Sequence, residues 1–97
     1  MSESNFEWDE AKNLKNEQKH GVSFYEAQFA FLDEYRVITE DLAHSQEEKR
    51  YYCFGLNQKR TGVLTVRFTY RSEHIRIFGA GYWRKGKKIY EQSNSIQ

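Results

Sequence analysis

The first third of the chain shows the residue spacing and the end signals of a helix. Residues 10–20 are rich in Ala, Leu, Lys, Gln and Glu and contain no β-branched residue, which favours a helix. Asp9 precedes this stretch as a good N-cap, and Gly21 follows it as a residue that readily adopts the left-handed conformation at helix ends. The apolar face is narrow, with only Ala11 and Leu14, so we predict a surface helix.

A second helix is predicted directly after the first. Ser23-Phe24-Tyr25-Glu26 has the form of a capping box, in which the Ser and Glu side chains satisfy backbone N–H groups at the helix start. Apolar residues then recur at helical spacing through Ala27, Ala30 and Phe31. This spacing indicates about ten helical residues with one buried face.

The remaining pattern predicts four strands and a final helix. Residues 35–42 are rich in β-branched residues, and residues 50–57, 63–71 and 74–80 alternate apolar with polar positions. Ser72-Glu73 joins the last two strands as a hairpin turn, and residues 82–91 form a short helix that Gly86 interrupts. We therefore predict one α+β domain over residues 1–97, with two N-terminal helices packed on a mainly antiparallel four-stranded sheet and a short C-terminal helix.

The register of the hairpin predicts two faces of opposite character. If Arg71 lies opposite His74, antiparallel pairing places Arg67 opposite Phe78 and brings Arg76 to the same face. These three arginines and the histidine then lie within roughly 10 Å of one another. The apolar residues share the other face, where Tyr70, Phe68 and Val66 lie opposite Ile75, Ile77 and Gly79.

The cationic face contains the side chains that RNA cleavage needs. Guanidinium groups bind phosphate oxygens in pairs and stabilise negative charge that develops at phosphorus, so the reaction requires no metal. His74 is a candidate for proton transfer when a ribose 2′-hydroxyl attacks the phosphate. Unpaired bases are expected to stack on three aromatic residues, Tyr51, Tyr82 and Trp83. The alternative is a solvated face whose arginines pair with Glu47, Glu48 or Glu73.

Charge segregates along the chain and supports a polyanionic ligand. Residues 1–44 contain four Lys/Arg and ten Asp/Glu, whereas residues 45–97 contain eleven Lys/Arg and four Asp/Glu. The sequence shows neither a membrane span nor a signal peptide, so a cytoplasmic protein is expected. Cys53 cannot form an internal disulfide and falls on the predicted polar face of its strand, and no metal site or other cofactor is expected.

Motifs in both halves of the chain resemble the BrnT-type toxins of bacterial toxin–antitoxin systems. The similarity extends over roughly residues 5–91. In the N-terminal half it consists of Phe6-Glu7-Trp8-Asp9, Lys12, Asn16, Lys19-His20-Gly21-Val22-Ser23-Phe24, Glu26-Ala27, Phe31 and Asp33. In the C-terminal half it consists of Glu48, Arg50, Gly55, Gly62-Val63-Leu64, Val66, Arg71, Ile75-Arg76-Ile77 and Tyr90-Glu91.

The resemblance implies a small ribonuclease toxin with a RelE-like fold. It also implies a partner antitoxin that covers the toxin and carries a ribbon-helix-helix DNA-binding domain, so that the toxin meets DNA only indirectly. Arg71 and Arg76 match the family pattern, whereas Arg67 rests on the strand register alone. A non-catalytic module of the same fold that binds RNA or the antitoxin is the alternative function.

One segment departs from the family pattern. After the segment that corresponds to Arg76-Ile77, members commonly have Ser-Ala-Arg and then a helix that contains a Glu. This chain has Gly79-Ala80-Gly81 instead, and Gly86 stands near the position of that Glu. The glycine spacing fits neither a dinucleotide fingerprint nor a P-loop. Arg84 is therefore the candidate replacement for the missing arginine, and Lys85, Lys87 and Lys88 are expected to bind neighbouring phosphates.

Overall fold

The computed structural model describes residues 5–95, in which five strands form one sheet of order β1-β5-β4-β3-β2. The strands are β1 (Phe6–Trp8), β2 (Val37–Glu40), β3 (Tyr51–Leu56), β4 (Val63–Arg71) and β5 (His74–Gly81). The helices are α1 (Glu10–His20), α2 (Phe24–Ala27) and α3 (Arg84–Ser93), with 3₁₀ helices at Gln28–Leu32 and Leu42–His44. The predicted α+β class is confirmed. In this part of the chain, no helix has the length and apolar character needed to cross a bilayer.

The sheet has one strand more than the sequence pattern predicts. β1 pairs in parallel with β5, with Phe6 opposite Ile75 and Trp8 opposite Ile77, while the other strand pairs are antiparallel. Three residues are too few to display a period of two, and α1 begins immediately after Asp9. The prediction of four strands is wrong for this reason.

Helix α1 begins and ends where the sequence predicts. The Asp9 carboxylate accepts hydrogen bonds from the first-turn N–H groups of Ala11 and Lys12, and Gly21 ends the helix at φ 72°. Leu14 is 52% exposed, so α1 is not held by an apolar stripe. Its attachment to the rest of the molecule is polar.

Two asparagines of α1 provide that attachment. The Asn13 side chain accepts a hydrogen bond from the backbone N–H of Phe24, at the start of α2. Asn16 donates to the carbonyl of Ala80 and accepts from its N–H, at 2.9 and 3.2 Å, in the manner of a neighbouring strand. Satisfying both backbone groups of Ala80 fixes α1 against the end of β5.

The second helix is shorter and more tightly wound than predicted. The capping box at Ser23 and Glu26 is present, but the α-helix covers only Phe24–Ala27 and continues as the 3₁₀ helix Gln28–Leu32. This segment runs close over β3, where a side chain on Gly55 would meet the backbone of Ala30. Gly55 therefore permits a helix-to-strand contact that no larger residue allows.

The main core fills the inner face of the sheet, which we define as the face covered by α2 and the first 3₁₀ helix. It consists of Val22, Phe24, Ala27, Ala30, Phe31, Cys53, Leu64, Val66, Phe68, Ile77 and Ala80. The expectation that Cys53 lies on a polar face is wrong, because both faces of β3 are packed. Burial raises the pKa of the Cys53 thiol to about 12, which keeps it neutral.

A smaller core lies on the outer face, beneath α3. Phe54, Val63 and Tyr90 are buried there, with Tyr52 and Leu56 packed around them. α3 runs without interruption from Arg84 to Ser93, so the expected break at Gly86 is wrong. A side chain on Gly86 would collide with the Thr65 hydroxyl and lie 3.0 Å from the Phe54 ring. Gly86 thus lets the helix lie directly on the sheet.

A buried carboxylate ties α3 to the sheet. Asp33 accepts hydrogen bonds from the Tyr90 hydroxyl at 2.6 Å, the Leu56 N–H at 2.9 Å and the Tyr35 N–H at 2.8 Å. Burial opposes ionisation of Asp33, but these hydrogen bonds outweigh it and hold its pKa below the ordinary value. Burial and the contact with Asp33 raise the pKa of Tyr90 to about 12.

Replacing the Asp33 carboxylate is expected to cost stability in a pH-dependent way. At neutral pH, Asp33→Asn should lower the free energy of unfolding by about 1–3 kcal/mol, since it weakens a buried ionic hydrogen-bond acceptor. The pKa of Asp33 is lowered in the folded state, so its contribution is present above its ordinary value of 3.8 and is lost as the pH falls through the folded pKa. Urea unfolding should therefore show the gap in unfolding free energy between wild type and variant narrowing as the pH falls below 3.8.

Glu91→Gln provides the matched control, because Glu91 is exposed on α3. It should leave the free energy of unfolding within about 0.5 kcal/mol of wild type. A gap for Asp33→Asn that stays constant over the whole pH range would contradict the role of its charge.

Gly86→Ala is expected to destabilise the protein, although alanine favours helices by about 1 kcal/mol over glycine. Overpacking against Thr65 and Phe54 should dominate, with a net loss of about 1–3 kcal/mol measured by thermal or urea unfolding. Adding Thr65→Ala removes the nearest obstructing atom and should recover part of that loss. A stabilised Gly86→Ala variant would show that α3 does not need the close approach.

Candidate functional site

The β4–β5 hairpin carries the candidate site on its outer face. Arg71 lies opposite His74 and Thr69 lies opposite Arg76, which confirms the predicted register at the hairpin end. Side chains alternate between the faces of a strand, and Phe68, the neighbour of Thr69, enters the main core on the inner face. The two arginines and His74 therefore share the outer face.

A β-bulge changes the pairing farther along the hairpin. Arg67 lies opposite Gly79 rather than Phe78, and Val66 lies opposite Ala80 rather than Gly79, so these two predicted pairs are wrong. The register shifts between Arg67 and Phe68, which leaves an extra residue on β5. A register predicted from regular alternation along both strands cannot locate such an insertion.

The extra residue, Phe78, becomes a platform for two arginines. The guanidinium carbon of Arg50 lies 4.7 Å from the centre of the Phe78 ring, and that of Arg67 lies 5.4 Å from it. Cations are attracted to the negative face of an aromatic ring, so the contacts offset part of the repulsion between the two guanidinium groups. Arg50 and Phe78 were not among the predicted site residues.

Two carboxylates neutralise other arginines of the face. Glu48 accepts hydrogen bonds from Arg71 at 3.2 and 3.4 Å, and Arg50 lies 3.9 Å from it. Arg76 donates to Glu7 at 3.2 Å across the β1–β5 pair. The predicted alternative in which Glu48 pairs with an arginine is therefore realised, whereas Glu7 was missed with β1.

The four arginines exceed these two carboxylates by two charges. Within residues 5–95, Arg67 forms no ion pair. Arg71 gives two of its N–H groups to Glu48, so further donors are left for another ligand. We call Arg50, Arg67, Arg71 and Arg76 the arginine face. Its surplus charge suits an anion.

A cavity of about 520 Å³ opens beside the arginine face. Its lining comprises His44, Gln46, Glu47, Glu48, Arg50 and Arg71. Only Arg71 of the predicted site residues contributes to it, and most of the rest belong to the loop between β2 and β3. A polar loop without periodicity gives no signal for this arrangement in a single sequence.

His44 is fixed in that loop by a buried carboxylate. Its Nδ1 lies 2.8 Å from an oxygen of Asp41, which is only 7% exposed. The loop itself is closed by hydrogen bonds, since Asp41 N–H donates to the Arg50 carbonyl and Ser45 Oγ accepts from Arg50 N–H. The histidine therefore has a defined position beside the arginines.

Glu48 is held in its ionised form. The hydrogen bond from Arg71, together with the charges of Arg71, Arg50 and Arg76, outweighs burial and lowers the pKa of Glu48 below its ordinary value. A carboxylate with a lowered pKa is a poor proton acceptor near neutral pH. Its role at the site is to orient arginines.

The remaining predicted cations lie apart from the cavity. His74 is exposed at the hairpin end and does not belong to the cavity lining. Arg84, Lys85, Lys87 and Lys88 are exposed in the first half of α3, and within the described residues they form no ion pair. They extend the positive surface of the outer face.

The predicted stacking residues divide between the two faces. Tyr51 lies on the inner face against Phe68, with ring centres 5.5 Å apart, and so on the face opposite the arginines. Tyr82 and Trp83 are partly exposed before α3. Trp83 also lines a second cavity of about 490 Å³, which includes Tyr52 on the outer face.

Residues 5–95 contain no group of three or more His, Cys, Asp or Glu side chains placed to hold a metal ion. A family model described as the ribonuclease toxin BrnT of type II toxin–antitoxin systems matches residues 8–86, which is well over half of the chain. A comparison with curated proteins finds no match.

Proposed function

We propose that this chain, which belongs to the BrnT family of ribonuclease toxins of type II toxin–antitoxin systems, is an endoribonuclease that inhibits translation and growth in the cytoplasm. The observation that supports RNA cleavage best is the arginine face, whose positive charge exceeds the negative charge of its carboxylate partners. Such a surface suits a phosphodiester, because guanidinium forks match phosphate oxygens in geometry and charge.

In the proposed mechanism, Arg67, Arg71 and Arg76 hold the scissile phosphate. As the ribose 2′-hydroxyl attacks, negative charge grows on the non-bridging oxygens, and preorganised N–H donors stabilise that charge more than the ground state. Arginine remains protonated at every working pH, so this stabilisation requires no metal ion. His74, opposite Arg71, is one candidate for proton transfer.

The basic half of α3 extends the RNA-binding surface. Arg84, Lys85, Lys87 and Lys88 bind neighbouring phosphates in this proposal, and Arg84 replaces the arginine absent from Gly79-Ala80-Gly81. Tyr82 and Trp83 offer partly exposed rings for unpaired bases. An antitoxin with a ribbon-helix-helix domain covers the toxin, which contacts DNA only through that partner.

A non-catalytic role is the second candidate, because Arg71 and Arg76 already have carboxylate partners. In that case the same face binds RNA or the antitoxin without turnover. Both functions predict RNA binding that weakens with salt, since phosphate contacts release counterions. Only turnover distinguishes them.

We expect the toxin, purified free of its antitoxin, to cleave single-stranded RNA in the presence of EDTA. Arg71→Ala combined with Arg76→Ala should reduce the cleavage rate by about 10²–10³-fold, because two donors to the transition-state charge are lost. Gel analysis of end-labelled RNA measures the rate, and circular dichroism verifies that the variant is folded.

Lys12→Ala combined with Lys15→Ala is the matched control. It removes the same charge from exposed positions of α1 and should leave the rate within about threefold of wild type. Loss of cleavage on chelation would contradict the metal-independent mechanism. Full cleavage by the double arginine variant would exclude the arginine face as the site.

A further inference from the structure

The arginine face provides charge stabilisation but does not by itself provide a proton acceptor. Guanidinium groups stay protonated, and Glu48 already accepts two hydrogen bonds from Arg71. The transesterification proposed above needs a group that removes the proton from the attacking hydroxyl. A side chain that can take up a proton near neutral pH must therefore lie within reach of the phosphate.

Two histidines lie on this side of the molecule, and their surroundings differ. Within residues 5–95, the His74 ring has no hydrogen-bond partner, and its side chain is exposed at the hairpin end. His44 lines the cavity together with Arg50 and Arg71, and Asp41 holds its Nδ1 at 2.8 Å. Only His44 is both oriented and directed to the cavity.

The contact with Asp41 determines which ring nitrogen is available. When a carboxylate accepts the Nδ1 proton, the neutral imidazole presents Nε2 as an acceptor, and the carboxylate then stabilises the imidazolium that forms. Asp41 is suited to this role because it is buried and its backbone is fixed to Arg50 and His44. Ser45 closes the same loop through its hydroxyl.

We propose that His44 is the catalytic proton acceptor for RNA cleavage and that Asp41 is its positioning residue. This inference rests on the proposed ribonuclease function and replaces His74 in that role. The cavity lined by His44, Arg50 and Arg71 then receives the ribose of a single-stranded RNA, beside the arginine face that holds the scissile phosphate.

The chemical step requires no oxidant, metal ion or added nucleophile. Nε2 of His44 takes the 2′-hydroxyl proton as the 2′-oxygen forms a bond to phosphorus, and the bond from phosphorus to the 5′-oxygen breaks. The leaving 5′-oxygen takes a proton from solvent, and the imidazolium returns its proton to solvent. The products carry a 2′,3′-cyclic phosphate and a 5′-hydroxyl.

The test compares wild type and His44→Ala in cleavage of a single-stranded oligoribonucleotide. We expect kcat to fall by about 10²–10⁴-fold, because a general base contributes that factor, while KM changes by less than about threefold. Added imidazole should restore part of the activity of His44→Ala in proportion to its concentration, which loss of a purely structural side chain would not allow. Asp41→Asn should lower kcat with little change in KM.

Gln18→Ala serves as the control, because Gln18 is exposed on α1, outside the cavity lining. Circular dichroism of each variant separates lost chemistry from lost folding. Unchanged kcat in His44→Ala, or a folded but inactive His44→Ala that imidazole does not rescue, would overturn the inference while leaving the ribonuclease function intact. A wild-type protein that cleaves no RNA would overturn the proposed function itself and this inference with it.

Discussion

Strand β4 must be packed on both faces, and this requirement determines where a functional surface remains. Its inner face contributes Leu64, Val66 and Phe68 to the main core, and the first part of its outer face is covered by α3. α3 is held there by the close approach at Gly86 and by the bond from Tyr90 to Asp33. The hairpin end of the outer face stays uncovered, and the arginines occupy that part.

Buried and half-buried polar side chains provide attachments that apolar packing provides in larger domains. Asn13 and Asn16 attach α1, and Asp33 attaches α3, each through backbone or hydroxyl groups that would otherwise be unsatisfied. Asn16, Asp33 and Tyr90 are also among the residues that carry the family resemblance. Their contacts explain those positions by the fold, so the motif is not in itself evidence of catalysis.

Local signals in the sequence predicted the elements that depend on local physics. The Asp9 cap, the left-handed Gly21 and the alternation along β4 define those elements correctly because backbone preferences act over a few residues. Alternation shows which residues share a face but not which face is covered, and this is why Cys53 was assigned to the wrong face. β1, the bulge at Phe78 and the pairing of His44 with Asp41 depend on tertiary contacts that no local pattern encodes.

The parallel strand β1 has a consequence for the order in which a newly made chain can fold. β1 lies near the N-terminus, yet its partner β5 is close to the C-terminus, and the two are joined by an ion pair between Glu7 and Arg76. Long-range pairing of this kind forms late, since the intervening chain must close first. During synthesis, β1 has no partner until β5 has left the ribosome. The arginine face, which includes Arg76 on β5, is therefore assembled only after β5 has been synthesised.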